Sequence, residues 1–480
     1  QPIFLRRLLP TWKNERLTLK VDKMASPSPQ SPLKIVIIGA GSLEFSSRLT
    51  ADILSYPALA HAHFALVDIN LERLDFAGQI VEQIFQQGGY QRATYSLHSD
   101  RREALVGANF VITSILVGGY PAIESEIDIP KAFGVCQAIG DTLTPGGIMR
   151  CLRTLPIQIA IAGDVQDLCP SALLLNYTNP MAMLCWGMKK AFPDLNLVGL
   201  CHSVQSTTEQ WANRLGLELG SVEFSCAGIN HQAWITRFET NGEDCLPAIR
   251  VLAEDKKLWR SDTSRMEYIK HFGFPVTEAS GHNSEYSPWF RKHPAAVDRY
   301  SPGGGWNGGP GFIKTLYNRP DWRETMAKMA RWETPINLDR SVEYGAQIIH
   351  AVTTGLPEVI FGNVMNDHLI DNLPHDACVE VACKVTEAGI CPEHYGRLPE
   401  HLAGINSNQI NTQRLAVLAA SEASPELAFQ AMALDPLTSA VLDLDEIRRL
   451  TSELLSAHAA YLPETWQDQV LTQKPILYSH

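Results

Sequence analysis

"LKIVIIGAGS", residues 33–42, decides the fold. An apolar, β-branched run stops on two glycines, Gly39 and Gly41. A strand that is apolar on both faces belongs inside a parallel sheet covered by helices. Glycines directly behind it allow a tight turn into a helix, with the backbone close enough to seat a pyrophosphate on the helix N-terminus. The third position of G-x-G-x-x-G is Glu44, so the fingerprint is incomplete, and a nucleotide-free turn stays open.

Working outward, "HFALVDI" (63–69) reads as a second strand that closes on Asp68. A carboxylate there hydrogen-bonds an adenosine ribose and repels a 2′-phosphate, which favours NAD over NADP. Its spacing of 27 positions from Gly41 exceeds the usual ~20. Gly39, Gly41, Ser42 and Asp68 are the expected cofactor contacts; a solvated aspartate is the bland alternative. "NFVITSILVGG" (109–119), "ALLLNYTNP" (172–180) and "LNLVGLC" (195–201) are three more apolar runs, with helical patterns such as 71–87 between the runs. That alternation predicts an α/β fold, a doubly wound (Rossmann-like) parallel sheet. After about residue 205 the texture changes. Longer strands are expected over 222–240, then a loop-rich region with 281–292 and the glycine-dense 301–311, and helix again over 444–462. The predicted organisation is a basic Ser/Pro-ended tail (1–32), an NAD-binding Rossmann domain (33–205), and an α+β domain (206–480) for substrate, metal and oligomerisation. The lactate/malate dehydrogenases share this architecture. The tail is set apart from the fold, with Met24 a candidate start.

Composition narrows the partners. The chain of 480 residues is 45% hydrophobic and 19% charged, with a net charge of −12. An acidic chain without a Lys/Arg-rich run argues against nucleic acid or an anionic membrane surface. No apolar stretch approaches the ~18–20 residues of a membrane span. Ten scattered cysteines without a CxxC pair read as reduced thiols of a cytoplasmic protein.

Two of those polar groups stand out. Cys201 ends the run "LNLVGLC", on the carboxyl edge of the sheet where ligands of open α/β sheets bind. Asn179 ends the preceding run on that edge, and His231, in "GINH", ends a strand of the second half. A thiolate and an imidazole suit a borderline divalent metal and leave positions open for substrate oxygens. From spacing alone, a buried free cysteine and a satisfied histidine remain the commoner reading.

The chain resembles glycoside hydrolase family 4. The residues that carry the resemblance run in order from about 33 to 465. They include "IGAGS", "DRREAL" (100–105), "AIGDTLTPGGIMRCLRTLP" (138–156), "NYTNPMAM" (176–183), "LCHSVQS" (200–206), "GINHQAW" (228–234), "SGHNSEYSPWFRK" (280–292), "LIDNLP" (369–374), "INSNQIN" (405–411) and "LDPLTSAVLDLDEI" (434–447). The resemblance implies NAD and a divalent metal, usually Mn2+, with Cys201 and His231 as metal ligands. It implies Tyr286 as the catalytic base with Glu285 as runner-up, and His202 as the proton donor with Asp141 as the other acid candidate. Asn179 is expected on the sugar hydroxyls and Arg291 on a substrate carboxylate. "CHS" resembles the α-galactosidase branch and its α-galacturonidase and α-glucosidase relatives. Leu116 and Val117 stand before Gly118, where phosphate-recognising members carry an arginine, so an unphosphorylated glycoside is implied. Thr144 and Ser206 depart from the α-galactosidase pattern, which has glycine at both.

The implied route is unlike that of glycosidases with two carboxylates. Oxidation at sugar C3 acidifies the C2 proton, a base removes it, and the glycosidic oxygen leaves by elimination. Water then adds at C1 and the hydride returns. A homodimer or homotetramer is also implied. Two readings of other classes stay open from the residues: a 2-hydroxy acid dehydrogenase, which would accumulate NADH, and a catalytically silent NAD-binding protein.

Overall fold

A computed structural model describes residues 33–43 and 45–466. The tail 1–32 and the fingerprint position Glu44 lie outside the described residues.

The apolar runs become the centre of one sheet. The strands are β1 (Lys34–Ile38), β2 (His63–Val67), β3 (Thr94–His98), β4 (Phe110–Thr113), β5 (Leu173–Asn176), β6 (Leu197–Leu200), β7 (Val222–Ile229), β8 (Gln232–Thr240), β9 (Glu243–Asp244), β10 (Glu358–Met365), β11 (Cys378–Thr386) and β12 (Gly389–Pro392). Their order is β3-β2-β1-β4-β5-β6-β10-β11-β7-β8-β9, with β12 on β11. The first six strands are parallel, in the doubly wound order, with the switch point between β1 and β4. From β6 onward the pairing is antiparallel. The sheet is continuous across residue 205, so the second half extends the first half's sheet.

Burial explains this order. β4 and β5 are buried at every position, and Ile35, Val36 and Ile37 of β1 are sealed from solvent. Strands this apolar need cover on both faces. Helices Phe45–Leu54, Leu71–Gly88, Thr144–Leu168 and Met181–Ala191 contribute to that cover through their buried residues. Edge strand β3 is only half-buried, which is why "TYSLH" carries no apolar run to announce it. Antiparallel β10 joins β6 through Gly362 opposite Leu200 and Asn363 opposite Gly199. This brings the second half beside the carboxyl end of β6, where Cys201 follows. Among the described residues no helix is long and apolar enough to cross a membrane. The ten cysteines are free.

Candidate active site

At the switch point the glycine turn lies against β2: the Gly39 and Ala40 amides donate to the Val67 carbonyl at 2.9 and 3.0 Å. Gly39 has φ +92°, and a Cβ there would sit 2.1 Å from the Ser114 carbonyl oxygen at the end of β4. No other residue fits without moving backbone. Asp68 accepts from the amides of Gly41 and Asn70, both at 2.8 Å. A Cβ on Gly41 would meet the Asp68 carboxylate at 2.7 Å. Ser42 Oγ accepts from the Ser46 amide at 3.0 Å at the start of the following helix. Gly39, Gly41, Ser42 and Asp68 thus share one cradle that a single Cβ would fill, which fits a dinucleotide's phosphates and ribose.

The second cluster is built from side chains drawn from distant segments. Cys201 follows β6, and His231 sits in the Asn230–His231 turn between β7 and β8 rather than within a strand. The hairpin brings the two together: Cys201 Sγ is 3.2 Å from His231 Nε2. Glu278 completes the group, its Oε2 3.5 Å from His231 Nε2, and the three ligand atoms lie within 4.8 Å of one another. Burial lowers His231 to a pKa of about 4, so the imidazole is neutral and its Nε2 can bind metal. Burial pushes the Cys201 thiol well up, and the carboxylates Glu278 and Glu380 push it the same way. A bound divalent ion would be needed to draw off that proton. A thiolate, a neutral imidazole and a carboxylate form a mixed donor set that can hold a divalent transition-metal cation.

The other face of His231 meets the phenol. Its Nδ1 is 3.1 Å from the Tyr286 hydroxyl and 3.3 Å from Thr142 Oγ1. His282 stacks on His231 with ring centroids 4.5 Å apart. It bridges two acids, with Nε2 3.2 Å from Asp141 Oδ1 and Nδ1 3.1 Å from Glu278 Oε1. Burial opposes its charge, but Glu278 and Asp141 outweigh that and raise its pKa to about 10. In return, despite burial, the charged His282, with Arg150 beside Asp141, holds both carboxyls well below the usual range. Asn179 Nδ2 donates to Asp141 Oδ2 at 3.1 Å. Arg150, also buried, places Nη1 3.6 Å from the same oxygen, while its Nε and Nη2 find no hydrogen-bond partner among the described residues. Burial raises the Tyr286 phenol well above its ordinary value, and Asp141 adds to that.

Cys201, His231, Asp141, Asn179 and Tyr286 therefore come together. Three other expected residues have their hydrogen bonds and ion pairs elsewhere. His202 has a half-exposed side chain and pairs with Glu343 at 3.3 Å, a bond that raises its pKa. Arg291 is fully buried and donates to the carbonyls of Cys136 and Gly308 and to the Ser284 and Ser301 hydroxyls, none of them in this cluster. Glu285, the runner-up base, accepts from the amides of Ala138, Ile139 and Gly140, so both its oxygens hold a loop. Sequence reasoning missed Glu278, His282, Thr142 and Arg150. All four lie within or two residues from the quoted motifs "AIGDTLTPGGIMRCLRTLP" and "SGHNSEYSPWFRK", the only signal that could have found them.

The family model described as family 4 glycosyl hydrolase matches residues 34–217, and that of the family's C-terminal domain matches residues 226–438. The alpha-galactosidase of Bacillus subtilis is 39% identical over 442 residues, covering 90% of this chain and 99% of its own length. The alpha-galactosidase of Rhizobium meliloti is 35% identical over 445 residues, covering 90% and 89%. The solved 6-phospho-beta glucosidase of Thermotoga maritima with manganese, NAD+ and glucose-6-phosphate has a TM-score of 0.75 at 20% identity, covering 90% of this chain and 99% of that one; this is a likeness of fold.

Proposed function

Since the chain belongs to family 4 of the glycosyl hydrolases, we propose that it hydrolyses α-galactosides of an unphosphorylated sugar with NAD and a divalent metal, manganese foremost. The observation that carries this is the convergence of thiol, imidazole and carboxylate within 4.8 Å, with the imidazole's far nitrogen on a phenol. The two α-galactosidase relatives support the galactosyl end, and the manganese and NAD+ held by the Thermotoga enzyme support the cofactors. Asp141 and Glu278 face the cations His282 and Arg150, and Arg150 Nη2 lies 3.7 Å from Glu126 Oε2.

When bound, the dinucleotide takes and returns a hydride and the metal acts as a Lewis acid on sugar oxygens. The remaining work falls to side chains. His231 offers its Nε2 lone pair to a metal only with its proton on Nδ1. That N–H then donates to the Tyr286 oxygen at 3.1 Å. A donor there favours phenolate over phenol and counters the burial that otherwise keeps the proton on. Tyr286 is thus the base that takes the sugar's C2 proton, and Asp141 and Asn179 orient the hydroxyls. Asp141, held ionised, has no proton to give. His202, whose pKa the Glu343 carboxylate beside it raises, is the remaining acid candidate for the leaving oxygen.

The test is turnover of p-nitrophenyl α-galactoside. Activity should need both NAD+ and Mn2+, stop in EDTA, and leave deuterium at C2 of the product formed in D2O. Full turnover by metal-stripped, NAD-free protein overturns the reading. Faster cleavage of the α-galacturonide or α-glucoside moves the substrate and keeps the chemistry.

A further inference from the structure

Behind Tyr286 lies a groove of about 650 Å3, within the ~300–1,000 Å3 of small-molecule sites. Its floor is the segment from Tyr286 to Trp289, and its walls come from the helices Glu400–Glu422 and Pro436–Val441. Tyr286 belongs to both places: its hydroxyl meets His231, and its carbonyl accepts a hydrogen bond from Gln409 of the helix wall. We propose that this groove is a second carbohydrate site, for an uncharged oligosaccharide.

Three features of the lining carry this. None of its 13 residues is Asp, Glu, Lys or Arg, in a chain that is 19% charged. His401, the remaining titratable side chain of the helix wall, uses Nε2 to donate to the Phe272 carbonyl at 3.0 Å. The cavity of about 1080 Å3 beside the starts of β5 and β6 differs sharply, since Lys189, Lys190, Asp367, Asp376 and Arg414 line it. A groove without charge selects a neutral ligand, because a charged one would lose hydration without gaining a partner.

The second feature is Trp289. The residue remains 39% exposed, yet it is braced by Tyr268, Phe272 and Phe290, whose ring centroids lie 6.1, 5.3 and 6.2 Å away. A braced, partly exposed aromatic side chain offers large contact area at little entropic cost. Third, Asn408 and Asn411 lie one turn apart on the exposed stripe of the helix wall, with Ser439 in the facing wall. Each amide supplies two donors and an acceptor, and the Ser439 hydroxyl, which donates to the Asp435 carbonyl at 2.9 Å, keeps its acceptor lone pairs. A pyranose has an apolar C–H face and a rim of hydroxyls that both donate and accept. The indole matches the face and the amides match the rim. Gly404 keeps the wall low between them, since a Cβ there would meet nothing within 4 Å.

The test uses the full chain loaded with NAD+ and Mn2+ and maltotriose as probe, a neutral trisaccharide without a galactosyl end. Saturation-transfer NMR should report saturable binding. Trp289→Ala should weaken it by roughly 10-fold or more, the size of a lost aromatic contact. Asn408→Asp, an exposed position that leaves folding intact, should weaken it by introducing a charge. Both variants should cleave the aryl α-galactoside at the unmodified rate. Absence of maltotriose binding, or equal binding by both variants, overturns the proposal. So does a changed sedimentation coefficient in either variant with binding unchanged, which would make the groove a contact between copies. If Trp289→Ala does not fold, Asn408→Asp decides. The readout needs no turnover, so it stands or falls apart from the α-galactosidase reading.

Discussion

The glycine turn behind β1 and the cluster around His231 both need left-handed backbone, and they obtain it by different means. In the turn the residue is Gly39 at φ +92°, and the chain has no room there for a side chain. In the cluster two residues with side chains adopt that region, His231 at φ +63° and Glu278 at +70°, and Thr144, two positions beyond Thr142, does so at +67°. Such conformations cost about 1–3 kcal/mol each. The difference follows from what each region offers a ligand. A pyrophosphate is held by backbone amides, so the turn loses nothing by being bare. A metal and a sugar are held by side chains, so the cluster keeps imidazole and carboxylate at strained positions and restrains them by contacts. His231 is held from both ring nitrogens, and Glu278 by His282 and the Ala279 amide.

If the cluster acts through its side chains, the largest effect comes from an atom that carries chemistry. Tyr286→Phe keeps the ring and removes the oxygen on His231 Nδ1. The expected loss in kcat is ~10²–10⁴-fold, the contribution of a general base, with NAD+ affinity unchanged by fluorescence titration. A variant that keeps both rate and C2 exchange would remove Tyr286 from the reaction. Next in size is Glu278→Gln, which keeps shape and removes charge. Mn2+ affinity should fall by at least the ~10–100-fold typical of disturbed metal surroundings, read by calorimetry, again without change in NAD+ affinity. An equal fall in NAD+ affinity would mean that the two regions are not independent.

The same contrast explains what could be read in advance. β1, β2, β4 and β5 are apolar but for one end residue each and β6 is apolar, and the Gly39–Asp68 cradle is local to two neighbouring strands, so pattern alone exposes both. Edge strand β3 carries no such run, and the continuity of the sheet through β10 rests on pairings 162 and 164 residues apart that no periodicity encodes. In the cluster, residues of chemical type were visible but their partners were not. Glu285 and Tyr286 are adjacent, yet Glu285 is spent on three amides near residue 139 while Tyr286 faces His231. Arg291 looked available for a carboxylate because its burial among Cys136, Ser284, Ser301 and Gly308 is a tertiary fact. Left-handed backbone at glycine is legible; at His231 or Glu278 it is not.

The turn can be broken by one methyl group. Gly39→Ala forces a Cβ against the Ser114 carbonyl, 2.1 Å away at present, and holds alanine at φ +92°. The expected cost is about 1–3 kcal/mol of stability, read by thermal melting with a weaker NAD+ complex. Mn2+ binding at the cluster should persist at temperatures where the variant is folded. Wild-type stability in this variant would mean that the turn relaxes freely.

The smallest effect is the most direct measure of strain beside the cluster. Thr144 is fully buried at the start of the helix Thr144–Leu168, with a β-branched side chain at φ +67°. Its hydroxyl donates to Gln137 Oε1 at 2.6 Å, and the same oxygen accepts from the Gly146 amide at 3.0 Å. A comparison of Thr144→Gly with wild type would mix relief of strain with loss of that hydrogen bond, worth about 0.5–1.5 kcal/mol. Thr144→Ala loses the same bond and keeps the Cβ. The difference between the two variants therefore isolates the cost of a side chain in left-handed backbone. In a helix interior alanine is better than glycine by about 0.8–1.0 kcal/mol. Here the order should invert, with Thr144→Gly more stable than Thr144→Ala by roughly 1–2 kcal/mol. Denaturant unfolding of the two variants side by side measures it. If alanine is equal or better, the left-handed backbone at this corner costs nothing, and the difference between a region built on glycine and a region built on strained side chains disappears.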